Sequence, residues 1–307
     1  MELAAYLLAA DPAWIEASVL SYYGIVSRIV VSYDENGRGW TGTSVDVDQC
    51  LRRLRAIDRD SKMDFRPGHY ARTEYPPMEN ETYQRQTALS ECGGTGEWVL
   101  QLDTDEILGS TDEFMDCIED ATRKGRTALN YPSIYLYAHA GGRWYLEWSR
   151  RGWKRAAGYP GPLAIRPDSR FCGARRTESR YFHVDLSRAG SPSRVPAEIS
   201  VDRIVSSAAA VWHFSTVRDE AWLRRKYASW GHAQDRDWHP EVEKWLKSIR
   251  KPLWSSITSQ FQRGNEKRHL KLAHIPKTVS DLIADSCVSE ANAPKGIALM
   301  DSPQQTV

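Results

Sequence analysis

The chain has 307 residues, enough for one large domain or for a domain with an appended segment. Hydrophobic residues make up 41% and charged residues 26%, which is ordinary globular composition with apolar material for a sizeable core. A formal charge of +1 gives no electrostatic case for nucleic acid as a main partner, and no apolar run approaches the roughly 20 residues that span a bilayer.

Met1 to Ala10 is apolar but lacks a basic start and runs at once into Asp11-Pro12. It reads as a first strand, Leu3 to Ala9, rather than a signal peptide. Asp11 as N-cap and Pro12 at the first position predict a helix over Pro12 to Tyr23. Ser27 to Tyr33 is β-rich and ends at Asp34. Val47, Cys50, Leu51, Leu54 and Ile57 have the spacing of an amphipathic helix. A short strand over Met63 to Arg66 and a helix over Glu81 to Cys92 follow. The apolar run Glu97 to Leu102 then ends at Asp103-Thr104-Asp105-Glu106. Repeated β-α-β units imply a largely parallel sheet whose strand C-termini share one edge, which puts Asp34 beside Asp103.

Residues 125 to 185 carry few helix signals and many Gly, Pro, Arg and aromatic residues. Strands are expected over Ala128 to Asn130, Ile134 to Tyr137 and Leu163 to Arg166. Asp219 to Gly231 reads as a helix with Trp222, Leu223, Tyr227 and Trp230 on one face, and His239 to Arg250 as another, opened by Pro240. A short helix follows Pro276, and the last stretch reads as a mobile tail. The expected organisation is an α/β domain over 1–235, a helical extension over 236–290 and a tail over 291–307. The five cysteines are scattered without a Cys-x-x-Cys, which argues for reduced thiols in a cytosolic protein and against zinc. The 12 Trp and 14 Tyr could pack on the apolar faces of sugars or fill the core.

Asp103 and Asp105 alternate with Thr104, so their carboxylates share a face at a strand end, where open α/β sheets bind ligands. Hard carboxylate oxygens suit Mg²⁺ or Mn²⁺, which take substrate phosphates as further ligands. The plainer alternative is that the acids cap the next helix. Together with Glu81-Thr82-Tyr83-Gln84-Arg85-Gln86-Thr87-Ala88-Leu89, the block resembles the Arg-Asn…Ala…Gly-(aromatic)-(apolar)₃-Asp-x-Asp region of family-2-like glycosyltransferases with a GT-A fold.

That resemblance implies a Rossmann-like nucleotide-diphospho-sugar transferase fold: a mixed, mostly parallel sheet flanked by helices. It implies donor contacts from Ala9, Asp34, Arg85 and Asp103, with Asp34 on the base or ribose and Arg85 on the diphosphate. At the first strand the chain departs, reading Leu8-Ala9-Ala10-Asp11-Pro12 where the family has Pro-x-(Tyr/Arg)-Asn-Glu. The implied metal ligands are Asp103, Asp105 and His213, the last within Val211-Trp212-His213-Phe214; a structural reading makes His213 a core residue. Phe182-His183-Val184-Asp185 resembles the segment that supplies the acceptor-activating base, which makes Asp185 the base and His183 its orienting partner. The loop Gly152 to Gly161 resembles one that lies over the donor sugar. Arg143, Arg150, Arg151, Lys154 and Arg155 could grip a diphosphate or form a solvated face.

The implied reaction is metal-dependent, inverting transfer of a sugar from a nucleotide diphosphate to the hydroxyl of a glycan, lipid-linked or small-molecule acceptor. A metal-dependent phosphohydrolase would carry a small or Gly/Thr run after the acids, where this chain has Glu106-Ile107. A sugar nucleotidyltransferase would carry a Gly-rich basic loop after the first strand, and none is present. A non-catalytic nucleotide-sugar-binding module is the other class the sequence allows.

Overall fold

The computed structural model describes residues 2–93, 97–149, 154–155, 157–186, 200–250 and 268–287. The first half contains β1 (Leu3–Leu8), α1 (Ile15–Leu20), β2 (Arg28–Asp34), α2 (Val47–Ile57), β3 (Met63–Gly68), α3 (Pro77–Glu91) and β4 (Trp98–Gln101). Then come β5 (Glu106–Leu108), α4 (Thr111–Arg123), β6 (Ala128–Asn130), β7 (Ser133–Ala140), β8 (Arg143–Ser149), β9 (Lys154–Arg155), β10 (Ala157–Gly158) and β11 (Ala164–Ile165). The remainder is β12 (Phe171–Gly173), β13 (Arg176–Thr177), β14 (Tyr181–Leu186), β15 (Arg203–Val205), β16 (Val211–His213), α5 (Glu220–Ser229), α6 (His239–Arg250), β17 (Arg268–Ala273) and a last helix, Lys277–Cys287.

The main sheet has the order β15-β14-β6-β11-β4-β1-β2-β3 and is parallel except for β11, which runs against both neighbours. β1 is apolar at every position and buried throughout, as a strand between two parallel neighbours must be. Helices cover the sheet. α2 packs Val47, Cys50, Leu51 and Leu54 inward, and α4, capped by Ser110 on the Glu113 N–H, buries Phe114, Cys117, Ile118 and Ala121. This is the mixed, mostly parallel α/β layout expected from the sequence.

A second sheet, β17-β8-β7-β16-β5, stands beside the first. The chain leaves the main sheet at Gln101 and enters the second at Glu106, so the acidic tetrad is the bridge between them. β1, β2 and β4 all end on the edge that carries this bridge.

Several boundaries differ from expectation. The first helix is only Ile15–Leu20 and begins after Trp14, because Asp11 accepts the Ala13 N–H and an ion pair from Arg218 instead of capping. α3 starts a turn early, at Pro76-Pro77, where Pro at the first position suits a helix start. The expected helical extension contains a strand: β17 pairs antiparallel with β8 across six residues. The last helix packs on α1, with Val279 fully buried in the main core. The expected tail, 291–307, lies outside the described residues.

The C-terminal helix is therefore part of the core. Val279→Asp should lower unfolding free energy by at least about 3 kcal/mol, since an unpaired carboxylate would enter an apolar site. Urea denaturation should show one transition moved to lower concentration; an unmoved midpoint would mean that the helix is not docked there.

Candidate active site

The tetrad is held by a continuous chain of ion pairs. Arg85 links Glu81 (3.0 Å) to Asp103 (2.9 Å), and Arg175 lies 3.7 Å from the other Asp103 oxygen while meeting Glu106 at 2.7 Å. His213 stands between Glu106 (3.7 Å) and Asp105 (3.3 Å). Asp105 also takes Arg218 at 3.0 Å and a close contact from Lys226, and Arg218 continues to Asp11. The strands dictate this. His213 is in register with Glu106 across β16–β5, and the Phe214 N–H donates to the Asp105 carbonyl. Asp103 and Asp105 differ in access: side-chain exposure is 33% for the first and 5% for the second. Burial opposes ionisation of Asp105, but Lys226, His213 and Arg218 outweigh it and hold its carboxyl well below the usual range. Asp103 is lowered likewise, burial being overcome by Arg85 and Arg175.

Arg175 reaches Glu106 because Gly161 has no side chain. A Cβ there would meet the Arg175 stem at 2.7 Å, on a backbone with φ of +149°. This glycine belongs to the loop expected over the donor sugar; Gly152 lies outside the described residues, whereas Gly158 lines the cavity.

α3 buries a polar face. Asn80 donates to the carbonyls of Trp40 and Arg72, Gln84 takes the Trp40 indole N–H at 2.7 Å, and Glu81 and Arg85 pair one turn apart. Arg85 is thus occupied by two carboxylates and orients Asp103. Asp34 is also occupied. Its Oδ1 accepts the N–H groups of Asn36 and Arg38, and its Oδ2 those of Tyr70 and Ala71. A carboxylate has about four lone-pair sites, so the donor contact expected of Asp34 gives way to a clasp between two loops.

These residues border a cavity of about 970 Å³. Ala9, Asp34, Arg85, Asp103, Asp105 and His213 all line it. Its far wall is aromatic: Tyr227 stacks on Trp238 at 5.3 Å, and Trp230 meets both edge-on. His232 lies at that end with Nδ1 2.6 Å from Asp235. His183 and Asp185, the expected acceptor-side pair, do not line the cavity. Tyr159 does, and its hydroxyl sits 2.9 Å from Asp185 Oδ1, screening that carboxylate. His183 contacts Asn130 and stacks on Tyr181, and burial lowers its pKa. Of the basic run, Arg143 is exposed and does not line the cavity; Arg150, Arg151 and the side chains of Lys154 and Arg155 lie outside the described residues.

Two carboxylates and an imidazole are suitable in kind for Mg²⁺ or Mn²⁺. Their arrangement does not fit such an ion. Both Asp105 oxygens already face cationic or imidazole partners, and among the described residues no group of three or more His, Cys, Asp or Glu converges as a metal-ligand set.

Nothing local in the sequence marks Arg175, Glu106, Arg218 or Lys226 as site residues, because their partners lie 69 to 121 positions away. No protein-family model matches the chain, and no curated protein matches it. Among solved structures it is similar to 4-diphosphocytidyl-2C-methyl-D-erythritol synthase from Anaerococcus prevotii DSM 20548, at 15% identity, covering 54% of this chain and 70% of that one with a TM-score of 0.32. It is also similar to mannose-6-phosphate isomerase from Helicobacter pylori, at 10% identity, covering 50% and 58% with a TM-score of 0.28. At that distance neither likeness transfers an activity. Among the described residues no helix is long and apolar enough to cross a membrane.

Two stability effects follow from the geometry. Asp34→Ala should cost about 2–4 kcal/mol in urea unfolding, because the Tyr70 and Ala71 N–H groups it leaves are buried; an unchanged midpoint would return Asp34 to ligand binding. Arg175→Met should cost about 3–5 kcal/mol by stranding the Glu106 charge, and adding Glu106→Leu should recover most of it. A double variant no more stable than the single one would show that the pair holds more than its own charges.

Proposed function

We propose that the protein transfers a sugar from a nucleotide diphosphate donor to an acceptor hydroxyl, with inversion. The observation that carries this is the meeting of Arg85 and Arg175 with the partly exposed Asp103, and of Lys226 with Asp105, beside the C-terminal ends of parallel strands and on a large cavity. Ligands of open α/β sheets bind in that crevice. The volume of about 970 Å³ is at the upper end of the roughly 300–1,000 Å³ usual for ligand sites, which leaves room for a donor and the end of an acceptor.

In this reading the diphosphate lies on the cationic side and the sugar points toward the aromatic wall, where ring faces suit its apolar C–H faces. The acceptor oxygen bonds to the sugar's anomeric carbon as the bond from that carbon to the diphosphate breaks, and its electron pair stays on the diphosphate. His232, held by Asp235, takes the acceptor proton; these two line the cavity, unlike His183 and Asp185. A phosphohydrolase that works through an aspartyl phosphate needs a carboxylate oxygen open in line with phosphorus, and the engagement of both Asp105 oxygens speaks against Asp105 in that role.

A panel of sugar nucleotides should yield nucleoside diphosphate, read by anion-exchange chromatography, faster when the acceptor is present. Asp103→Asn should abolish that release. His232→Ala should lower transfer roughly 10²–10⁴-fold, the usual general-base contribution, with donor affinity unchanged. Pyrophosphate release from nucleoside triphosphates and sugar phosphates, or phosphate release from simple esters, would replace this reading with a nucleotidyltransferase or a hydrolase.

A further inference from the structure

The acidic tetrad suggests a divalent ion, yet its inner carboxylate is already provided with protein cations. Asp105 Oδ1 faces His213 Nε2 at 3.3 Å, and Oδ2 takes Arg218 at 3.0 Å and the Lys226 ammonium. An ion seeking Asp105 would have to evict Lys226 and then sit against the fixed positive charge of Arg218. Across the whole chain of pairs, the carboxylates of Asp11, Glu81, Asp103, Asp105 and Glu106 face the permanent cations Arg85, Arg175, Arg218 and Lys226, with His213 among them. That network is close to neutral from its own residues.

The cations are not equivalent. Arg218 is 1% exposed, is shared with Asp11 and the Phe214 carbonyl, and does not line the cavity. Lys226 is 19% exposed and does line it. Its side chain rises from α5, whose N-terminus is fixed by the Asp219 side chain on the Trp222 N–H. An ammonium has three N–H donors on a flexible stem, so contact with one Asp105 oxygen leaves others for a ligand.

We propose that Lys226, rather than a divalent ion, supplies the positive charge that binds the diphosphate and receives its negative charge as the sugar leaves. This rests on the glycosyl-transfer reading above. As the acceptor oxygen bonds to the anomeric carbon, the carbon–oxygen bond to the β-phosphate breaks and the electron pair stays on that oxygen, which Lys226 Nζ–H contacts. The acceptor proton leaves separately, to His232. Asp105 is then a positioning residue that holds Lys226 aimed, with Arg218 and His213 fixing Asp105.

The test is calorimetry on the full chain with UDP, GDP, ADP, CDP and dTDP, each in excess EDTA and in Mn²⁺. The wild type should bind one of them in EDTA within about threefold of its Mn²⁺ affinity, a difference below 1 kcal/mol. Lys226→Met, which keeps the stem, should weaken binding in EDTA at least about tenfold, the loss expected for one charge-assisted hydrogen bond. Lys226→Arg should keep metal-independent binding. Thermal melts should show every variant folded, since Asp105 retains Arg218 and His213. Wild-type binding that vanishes in EDTA overturns the proposal while leaving the glycosyl-transfer reading intact, and so does equal affinity of Lys226→Met and wild type in EDTA. Absence of binding by any of the nucleotides in both conditions overturns both readings.

Discussion

Glu106 is wholly buried and Asp105 nearly so, and a desolvated carboxylate without a counter-charge is among the most costly things a fold can contain. The arrangement of the site follows from that constraint. Glu106 requires Arg175, whose stem must pass Gly161 to arrive; Asp105 is met by Arg218, His213 and Lys226, which draw in β16, the turn after it and α5. The charges therefore fasten the bridge between the two sheets to segments that are far apart in sequence.

Burying ion pairs is weak evidence of stability, because apolar residues of similar volume would often serve the fold as well. What such pairs supply is position. α3 illustrates it: Asn80, Glu81, Gln84 and Arg85 are buried on a helix that could have packed with leucines. Asn80 and Gln84 instead fix the Trp40 loop, and Arg85, paired with Glu81, fixes Asp103; Trp40 and Asp103 both border the cavity. A helix that buries amides and charges toward a cavity gives up apolar packing for fixed positions along the cavity's edge.

The sheet was legible because its signals are local. A continuous apolar run gives β1, and the spacing of Val47, Leu51 and Leu54 gives α2. Boundaries failed where a distant partner changed a residue's task, as when Asp11 turned from helix cap to counter-ion of Arg218, 207 positions away. β17 had a signal, the alternation of Leu270 and Leu272, but its pairing with β8 is tertiary. Both acids of the Asp-x-Asp line the cavity, and their partners are not readable from the sequence around them. Asp34 accepts the Asn36 and Arg38 N–H groups in a turn of the kind that Asp-Glu-Asn-Gly favours, a local signal because turn chemistry depends on neighbours that the sequence shows. Lys226 was visible only as a helix residue, and nothing near it in sequence says that it faces Asp105.

A site whose cations are already paired binds an anion by exchange. In the proposed reaction a diphosphate gains contacts with Arg85 or Arg175 only as each loosens its hold on a carboxylate, whereas Lys226 keeps donors beyond its contact with Asp105. The exchange is easiest at Asp103, which is partly exposed, and hardest at Glu106, which is not exposed at all. Ground-state affinity in that reaction comes from Lys226 and from the rest of the ligand, on the side of Trp40 and the aromatic wall. In the proposed reaction the ion network contributes most when negative charge grows on the leaving group, because its donors are oriented before the bond breaks and need little reorganisation. A weak ground-state grip with a stronger transition-state one is the division that favours turnover over tight binding.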